Sequence, residues 1–191
     1  RTRQLVRDND YARQAIRAVK NNVVGTGIRM QAQVRMVRGG GRLDGPVNDA
    51  IEMAWKTWCK KQHCNTAGRL SFQDLQRLVV GAMAESGEVF IRKVRQPFGG
   101  SQVPFALEVI ESDQLDDNYN GKSTVDGNEW RMGVECDRWG RPVTYAFLRK
   151  HPGDAPFSAP PSARHQLIPA SEIIHLYLVD RPGQTRGVPW L

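Results

Sequence analysis

The chain has 191 residues, 40% of them hydrophobic, and can therefore bury a substantial core as one domain or as two small ones. Its apolar runs are shorter than the roughly 18 residues of a transmembrane span, and its start is too charged for a signal peptide. Its three cysteines are an odd number without the spacing of a disulfide framework. These features predict a soluble, intracellular protein.

The positive charge is concentrated at the N-terminal end of the sequence. The formal net charge is +7, with 14 Lys and Arg against 5 Asp and Glu in residues 1–70, and 13 against 15 in residues 71–191. The first part therefore carries +9 and the second −2. Such a basic segment fits nucleic acid, an acidic partner surface, or simply the solvated outer faces of helices.

The first predicted element is a helix that begins at an N-cap within residues 8–10 and ends near Asn21 and Asn22. Its apolar stripe is formed by Ala12, Ile16, Val19 and Val23. Three cations lie off this stripe, namely Arg13, Arg17 and Lys20. The helix is therefore expected to bury the stripe and to leave these cations outside it.

A strand and a second helix are predicted next. Apolar and polar residues alternate over residues 28–36, which is typical of a strand with one buried face. Gly39–Gly41 predicts a flexible joint, and the Asp-Gly-Pro sequence at 44–46 predicts the start of a helix. The apolar face of that helix carries Trp55 and Trp58, which we interpret as core or interface anchors rather than a base-stacking platform.

A third helix has the clearest local signals. Ser71 and Asp74 have the spacing of a capping box, and the apolar stripe that follows extends to Gly87. This stripe predicts that Phe72 and Leu75 are buried.

Beyond Gly87 the apolar period changes from the helical value to two. Strands are predicted at 88–94, 105–111, 130–136, 143–150 and 173–179. A turn at 137–142 predicts a hairpin, and the four prolines of residues 151–166 predict an exposed irregular loop. The predicted fold class is α+β, with a mainly helical part at 1–86 packed on a mainly antiparallel β part at 87–191.

Two short motifs resemble ligand-binding loops but lack essential residues. The Gly-Lys-Ser sequence at 121–123 resembles the end of a P-loop, yet Asp116 stands where the upstream glycine should be. Residues 116–121 match the first half of an EF-hand loop, but Gly127 occupies the position of its bidentate glutamate. Neither a nucleotide site nor a calcium site is therefore predicted.

The remaining candidate ligands and bases also fit structural roles. Cys59, His63 and Cys64 lack the spacing of a zinc site, which only Cys136 could complete. His175 lies within an apolar strand, without a Ser or Cys nucleophile signature, and is interpreted as a satisfied core histidine. These patterns predict no catalytic residue, no metal and no cofactor.

The last residues predict that the sequence is a piece of a longer protein. The strand at 173–179 is stopped by a turn at Arg181–Gly183, and the apolar residues 188–191 follow at once. A chain that stopped there would leave Trp190 and Leu191 uncovered.

Short motifs spread in order along the chain form a set that is more specific than any one member. The set comprises Leu5–Asn9, Asn22–Ile28, the pair Trp55 and Trp58, Ser71–Gln76, Glu85–Phe90, Gly133–Asp137, Gly140–Tyr145, His151–Asp154, Ile168–Ala170 and Ile173–Leu176. Its most telling member is an Arg-Pro-Gly-Gln-Thr-Arg-Gly-Val-Pro run that contains Arg181, Pro182, Gly183, Gln184, Arg186 and Gly187. Together these motifs resemble the portal proteins of lambda-type tailed bacteriophages.

The resemblance implies a ring of typically twelve subunits at one vertex of the capsid, through which double-stranded DNA is packaged and ejected. Implied partners are further copies of the chain, double-stranded DNA, the large subunit of the terminase, head–tail joining proteins and a capsid or scaffold protein, without a membrane. Implied locations are the virion and, during assembly, the cytoplasm of the bacterial host. ATP hydrolysis would belong to the terminase, so the portal would be no enzyme and would need no cofactor.

Members of this family are considerably longer, and the chain resembles the wing, without the stem, clip and crown. Arg13, Arg17 and Lys20 are expected to contact neighbouring subunits or DNA, and the Arg-Pro-Gly-Gln-Thr-Arg-Gly signature is expected to be structural. The alternative function is a stand-alone basic nucleic-acid-binding module, which would bind DNA in a salt-sensitive way. A truncated nuclease or protease would require clustered carboxylates or a Ser-His pair, which the sequence does not show.

Overall fold

The computed structural model describes residues 2–38, 40–154 and 164–191. Within these ranges five α-helices precede eight β-strands, which confirms the α+β class. The helices are α1 Thr2–Asp8, α2 Asp10–Val24, α3 Gly45–Trp58, α4 Lys61–Cys64 and α5 Phe72–Ser86. The strands are β1 Glu88–Val94, β2 Ala106–Ile110, β3 Gly121–Lys122, β4 Glu129–Arg131, β5 Val134–Cys136, β6 Pro142–Leu148, β7 His165–Pro169 and β8 Ile173–Tyr177. None of the described helices is long and apolar enough to cross a membrane.

The three longest helices begin where their capping residues predict. Asn9 accepts hydrogen bonds from two backbone N–H groups of α2, and Asp44 accepts one at the start of α3. At α5, Ser71 and Asp74 form the complete capping box. Helix α2 ends at Val24, slightly later than predicted. Helices α1 and α4 were not predicted, because they are too short to show an apolar period.

The predicted strand at 28–36 is wrong. Its residues are extended, but only Arg35 forms a β-bridge, to Leu43. Side chains of α3 take the place of a partner strand. Glu52 accepts a hydrogen bond from the backbone N–H of Ala32, and Asn48 accepts one from the backbone N–H of Val34. We call residues 25–43 the arm.

Two antiparallel sheets form the β part. Their strand orders are β2-β1-β8 and β3-β4-β5-β6-β7. The hairpin between β5 and β6 is confirmed. The strand predicted at 130–136 is instead two strands, because Met132 and Gly133 turn the chain with φ angles of 49° and 84°. Strand β7 begins inside the predicted loop at 151–166, of which residues 155–163 lie outside the described residues.

The two sheets enclose one core, and the helices close a second one against the three-stranded sheet. The first includes Phe90, Tyr145, Phe147, Ile168 and Ile173, contributed by both sheets. The second is centred on Trp58, Cys64 and Leu75. The indole N–H of Trp58 donates to the carbonyl of Phe105 at 2.7 Å, which confirms the packing role of this tryptophan.

Helical and strand structure meet at Gly87, because α5 ends at Ser86 and β1 begins at Glu88. The second core nevertheless contains residues from both sides of this point. The division into parts at 1–86 and 87–191 stays a prediction, as does the flexible joint at Gly39–Gly41, of which Gly39 lies outside the described residues.

The burial of α5 gives a direct test of the second core. Leu75 is 3% exposed, whereas Leu78 on the same helix is 43% exposed. We expect Leu75→Ala to lower the free energy of unfolding by about 2 to 5 kcal/mol, because it removes apolar contacts and leaves a cavity. Urea denaturation measures the change, with Leu78→Ala as the matched control. An unchanged midpoint for Leu75→Ala would contradict this core assignment.

Candidate functional site

The carboxylate of Glu88 is the centre of a buried polar cluster at the start of β1. Its side chain is 3% exposed. One oxygen, Oε1, accepts from Nε of Arg186 at 2.7 Å. The other, Oε2, accepts from the backbone N–H of Gly187 at 2.9 Å and from Nε2 of His175 at 3.0 Å. Each oxygen is thus occupied by a group from the C-terminal part of the chain.

Arg186 connects this carboxylate to two more segments. Its guanidinium donates to the carbonyl of Met132 at 2.9 Å and to the carbonyl of Ser112 at 3.3 Å. Ser112 follows β2 of the three-stranded sheet, and Met132 lies in the β4–β5 turn of the five-stranded sheet. The planar fork of arginine therefore joins both sheets and the C-terminal segment at one point.

His175 is a satisfied core histidine, as the sequence predicts. Because the carboxylate of Glu88 can only accept, Nε2 of His175 carries the ring proton, and Nδ1 accepts from the hydroxyl of Tyr145 at 3.4 Å. Burial lowers the pKa of His175, and the attraction of Glu88 offsets this only in part. Burial raises the pKa of Glu88, but hydrogen bonds from His175 and Arg186 outweigh it, so the pKa falls.

Gln184 shapes the turn that brings Arg186 into place. Its side-chain oxygen accepts from the N–H of Asp180 at 2.8 Å, and its amide group donates to the carbonyls of Leu178 and Arg186. Its own carbonyl accepts from the hydroxyl of Tyr177 at 2.9 Å. One buried amide therefore organises the whole turn that follows β8.

Two glycine backbones pass in close contact beside the carboxylate. A Cβ added to Gly187 would lie 2.1 Å from the carbonyl oxygen of Gly87, and a Cβ on Gly87 would lie 2.3 Å from the carbonyl carbon of Val188. Gly87 also has a φ of 85°, as the left-handed end of α5 requires. Beyond this crossing, the N–H of Trp190 donates to the carbonyl of Ala84 at 3.1 Å.

The signature residues divide into two groups in the structure. Gln184, Arg186 and Gly187 form the buried contacts described above, whereas Arg181, Pro182 and Gly183 lie in the exposed turn. Sequence reasoning missed Glu88. The sequence did contain a signal for it. Glu88 is a single carboxylate at the start of an apolar strand, and Arg186 of the signature could neutralise such a carboxylate. The identification of these six residues as a family signature stays a prediction.

The three cations of α2 lie in different environments. Arg13 pairs with Asp10 at 2.9 Å, and Nζ of Lys20 lies 3.6 Å from Glu85. The aliphatic stem of Lys20 also covers Gly81 of α5, so this lysine packs two helices together. Arg17 is exposed and has no side-chain partner among the described residues.

Two groups of residues could be considered as metal ligands, but neither is arranged and free to bind an ion. Cys136 lies in the core between the sheets, apart from Cys64 in the helical core, so the four zinc candidates of the sequence are not brought together. Glu111, Asp113 and His151 place one possible ligand atom each within 4.8 Å of one another. However, Arg3 already pairs with both carboxylates of that group.

The side chain of Asp116, from the EF-hand-like motif, is also engaged within the protein. It lies 2.7 Å from Nε2 of His165 and accepts from the N–H of Asn118. Gly121 and Lys122, from the P-loop-like motif, form the short strand β3. Neither motif has the local structure that its ligand requires.

The sequence as a whole matches one family of proteins. The family model is described as phage portal protein, lambda family, and it covers residues 1–191. The chain belongs to the lambda family of phage portal proteins.

The chain is also similar to a probable portal protein of a Halomonas phage. The probable portal protein of Halomonas phage phiHAP-1 is 36% identical to the chain over 191 residues. This stretch is 100% of the chain and 36% of that relative. The chain thus spans little more than a third of the length of the portal protein that it matches.

In this portal-family chain, the close contact between the backbones of Gly87 and Gly187, which we call the glycine crossing, can be tested by adding a side chain. Gly187→Ala places a methyl group against the backbone of Gly87, which flexible side chains cannot relieve. We expect a loss of at least about 1 to 3 kcal/mol in the free energy of unfolding. Thermal or urea unfolding measures it, and Gly45→Ala is the control because its added Cβ meets nothing within 4 Å. Equal stability of the two variants would show that the crossing is not tight.

The buried histidine of this portal-family chain predicts a pH dependence. Because the folded pKa of His175 is lowered, the unfolded chain takes up a proton first as the pH falls below about 6.5, and stability falls with it. We expect the free energy of unfolding to fall more steeply from pH 7.5 to 5.5 in the wild type than in His175→Gln. The other histidines contribute equally to both proteins. Identical slopes in urea titrations would refute the assignment.

Proposed function

We propose that this chain is the wing part of a portal protein that forms a ring at one vertex of a tailed-phage capsid. The ring has twelve subunits, and double-stranded DNA passes through it during packaging and ejection. Residues 1–86 and 87–191 are the helical and β parts of the wing. The stem, clip and crown belong to other parts of the protein.

The match to a portal family along the whole chain is the observation that carries this proposal. The portal protein of the Halomonas phage supports it, because the 36% identity extends over the same residues. The candidate site agrees with a structural role. Both ring nitrogens of His175 and both oxygens of Glu88 are held by internal contacts, so the cluster fixes the chain rather than presenting a reactive group.

The partners in this proposal follow from the position of a portal in the capsid. They are other copies of the chain, double-stranded DNA, the large subunit of the terminase, head–tail joining proteins and a capsid or scaffold protein. The terminase supplies ATP hydrolysis, so the chain itself is not an enzyme and needs no cofactor. It resides in the virion and, during assembly, in the host cytoplasm.

Of the α2 cations, Arg17 is the best placed to contact DNA or a neighbouring subunit. It is exposed and has no side-chain partner in the described ranges, whereas Arg13 and Lys20 each pair with a carboxylate. Arg13 and Lys20 can still add to the local positive potential, because surface ion pairs remain accessible to solvent and salt.

The proposed function predicts a ring that is required for DNA packaging. We expect the full-length protein that contains this chain to form closed rings with a central opening in electron micrographs. Phage lacking its gene should produce heads without DNA, and the wild-type gene supplied in trans should restore packaging. Purified protein that stays monomeric, together with filled heads in the mutant, would contradict the proposal.

The alternative of a stand-alone nucleic-acid-binding module gives a different result in solution. It predicts that a polypeptide of residues 1–191 binds double-stranded DNA tightly as a monomer, with an affinity that falls steeply as salt rises. The portal proposal predicts weak binding by single subunits, because any phosphate contact of one subunit is multiplied only when the subunits are arrayed in a ring.

A further inference from the structure

Two segments of the chain carry opposite charge. The arm, residues 25–43, contains four arginines and no Asp or Glu. Residues 111–129 contain six Asp and Glu against one lysine, a net charge of −5, and we call them the acidic segment. Both segments are largely exposed.

Neither segment neutralises the other within the subunit. No ion pair joins them in the described part of the chain, where Glu111 and Asp113 pair with Arg3 of α1 instead. Arg29, Arg38 and Arg42 of the arm are exposed and have no side-chain partner among the described residues. In the acidic segment, the same is true of Asp126, and the carboxylate of Asp117 contacts only the adjacent amide of Asn118.

The two segments are held at opposite ends of α5. The arm starts beside the first half of this helix, where the N–H of Ile28 donates to the side chain of Gln76 at 2.8 Å. The acidic segment is tied to the last residue of the helix, because Arg3 bonds both Ser86 and Asp113. Gln76 and Ser86 are about 15 Å apart along the helix axis, well beyond a Debye length of about 8 Å.

The arm also presents apolar side chains that the subunit leaves uncovered. Ile28 is 70% exposed and Val37 is fully exposed. Its alternating pattern is that of a strand, yet its one β-bridge among the described residues, Arg35 to Leu43, lies within the arm itself. The acidic segment has an exposed apolar residue as well, since Val125 beside Asp126 is 54% exposed.

We propose that the arm of one subunit docks on the acidic segment of an adjacent copy of the chain. Complementary surfaces at two different places on one subunit make a head-to-tail contact, and repetition of such a contact closes into a ring when the rotation permits. The inference rests on the ring of the proposed function and names its contact surfaces. Opposite charge sets the orientation and register of neighbours, and the apolar residues add buried area.

A neighbouring copy accounts for more of these observations than DNA does. DNA would neutralise the arginines of the arm but would be repelled by the acidic segment, which would keep its unpaired carboxylates. A second copy neutralises both segments at once. In that contact, the unpaired arginines of the arm face the exposed carboxylates of Asp117 and Asp126.

A charge-swap experiment on the full-length protein tests this contact. The arm variant carries Arg38→Glu with Arg42→Glu, and the acidic variant carries Asp117→Lys with Asp126→Lys. We expect each variant alone to lose the ring species in analytical ultracentrifugation, because the substitutions lower the net charge of the arm from +4 to 0, or change that of the acidic segment from −5 to −1, and so remove most of the attraction at every interface. An equimolar mixture should recover rings, because an unchanged arm meets an unchanged acidic segment at every second interface. At the other interfaces, the substituted positions 38 and 42 again carry the opposite charge to positions 117 and 126.

Matched controls show whether loss of the ring results from misfolding or from the change in net charge rather than from loss of the docking contact. Arg95→Glu with Arg141→Glu changes the same charge at exposed positions outside the arm and should leave the ring intact. Far-UV circular dichroism spectra of all variants should equal that of the wild type. Raising the salt concentration should weaken the wild-type ring, since exposed ion pairs are screened.

The outcomes distinguish this inference from the proposed function. Wild-type rings that persist in both variants, or folded variants that fail to recover rings on mixing, would overturn the docking contact and leave the portal proposal standing. Intact rings of the arm variant with reduced DNA binding would assign the arm to nucleic acid and overturn the inference. A wild type without rings would contradict the proposed function itself.

Discussion

The hydrogen bonds that converge on the carboxylate of Glu88 tie together segments that are far apart in sequence. Arg186, Gly187 and His175 all donate to it, and Arg186 reaches on to the carbonyls of Ser112 and Met132. A buried charge is tolerated only when it is paired and fully hydrogen-bonded. The end of α5, both sheets and the C-terminal segment therefore have to adopt one mutual arrangement to satisfy this group.

The glycine crossing has the same consequence by steric means. Gly187 can lie against Gly87 only because neither carries a side chain, and this close approach brings the N–H of Gly187 to the carboxylate of Glu88. Within the Arg-Pro-Gly-Gln-Thr-Arg-Gly run, the glutamine forms the turn, the second arginine joins the sheets and the last glycine permits the crossing. These contacts give a physical reason for a motif that by itself says nothing of function.

The chain thus combines a tightly fixed body with a loosely covered N-terminal arm. The body buries its polar groups and joins its sheets through Arg186, whereas the arm is held to the subunit by side chains such as Asn48 and Gln76. A subunit of a ring needs a rigid body that transmits its orientation and a surface that stays available to its neighbours. Membership of a portal family carries the functional proposal, and this distribution of contacts agrees with it.

The sequence by itself determined the family and the three longest helices. The capping box at Ser71 and the caps at Asn9 and Asp44 depend on neighbours within a few residues, so the sequence alone reveals them. The satisfied histidine at 175 was predictable because an apolar strand surrounds it.

Only the tertiary structure decided which distant residues meet. The pairing of Glu88 with Arg186 joins residues 98 positions apart, and no local pattern specifies it. Residues 28–36 of the arm alternate like a strand. A strand forms only where another strand lies beside it, and here side chains of α3 occupy that position. Short elements such as α4 and β3 were missed for the same reason, since packing by distant residues fixes them rather than their own few side chains.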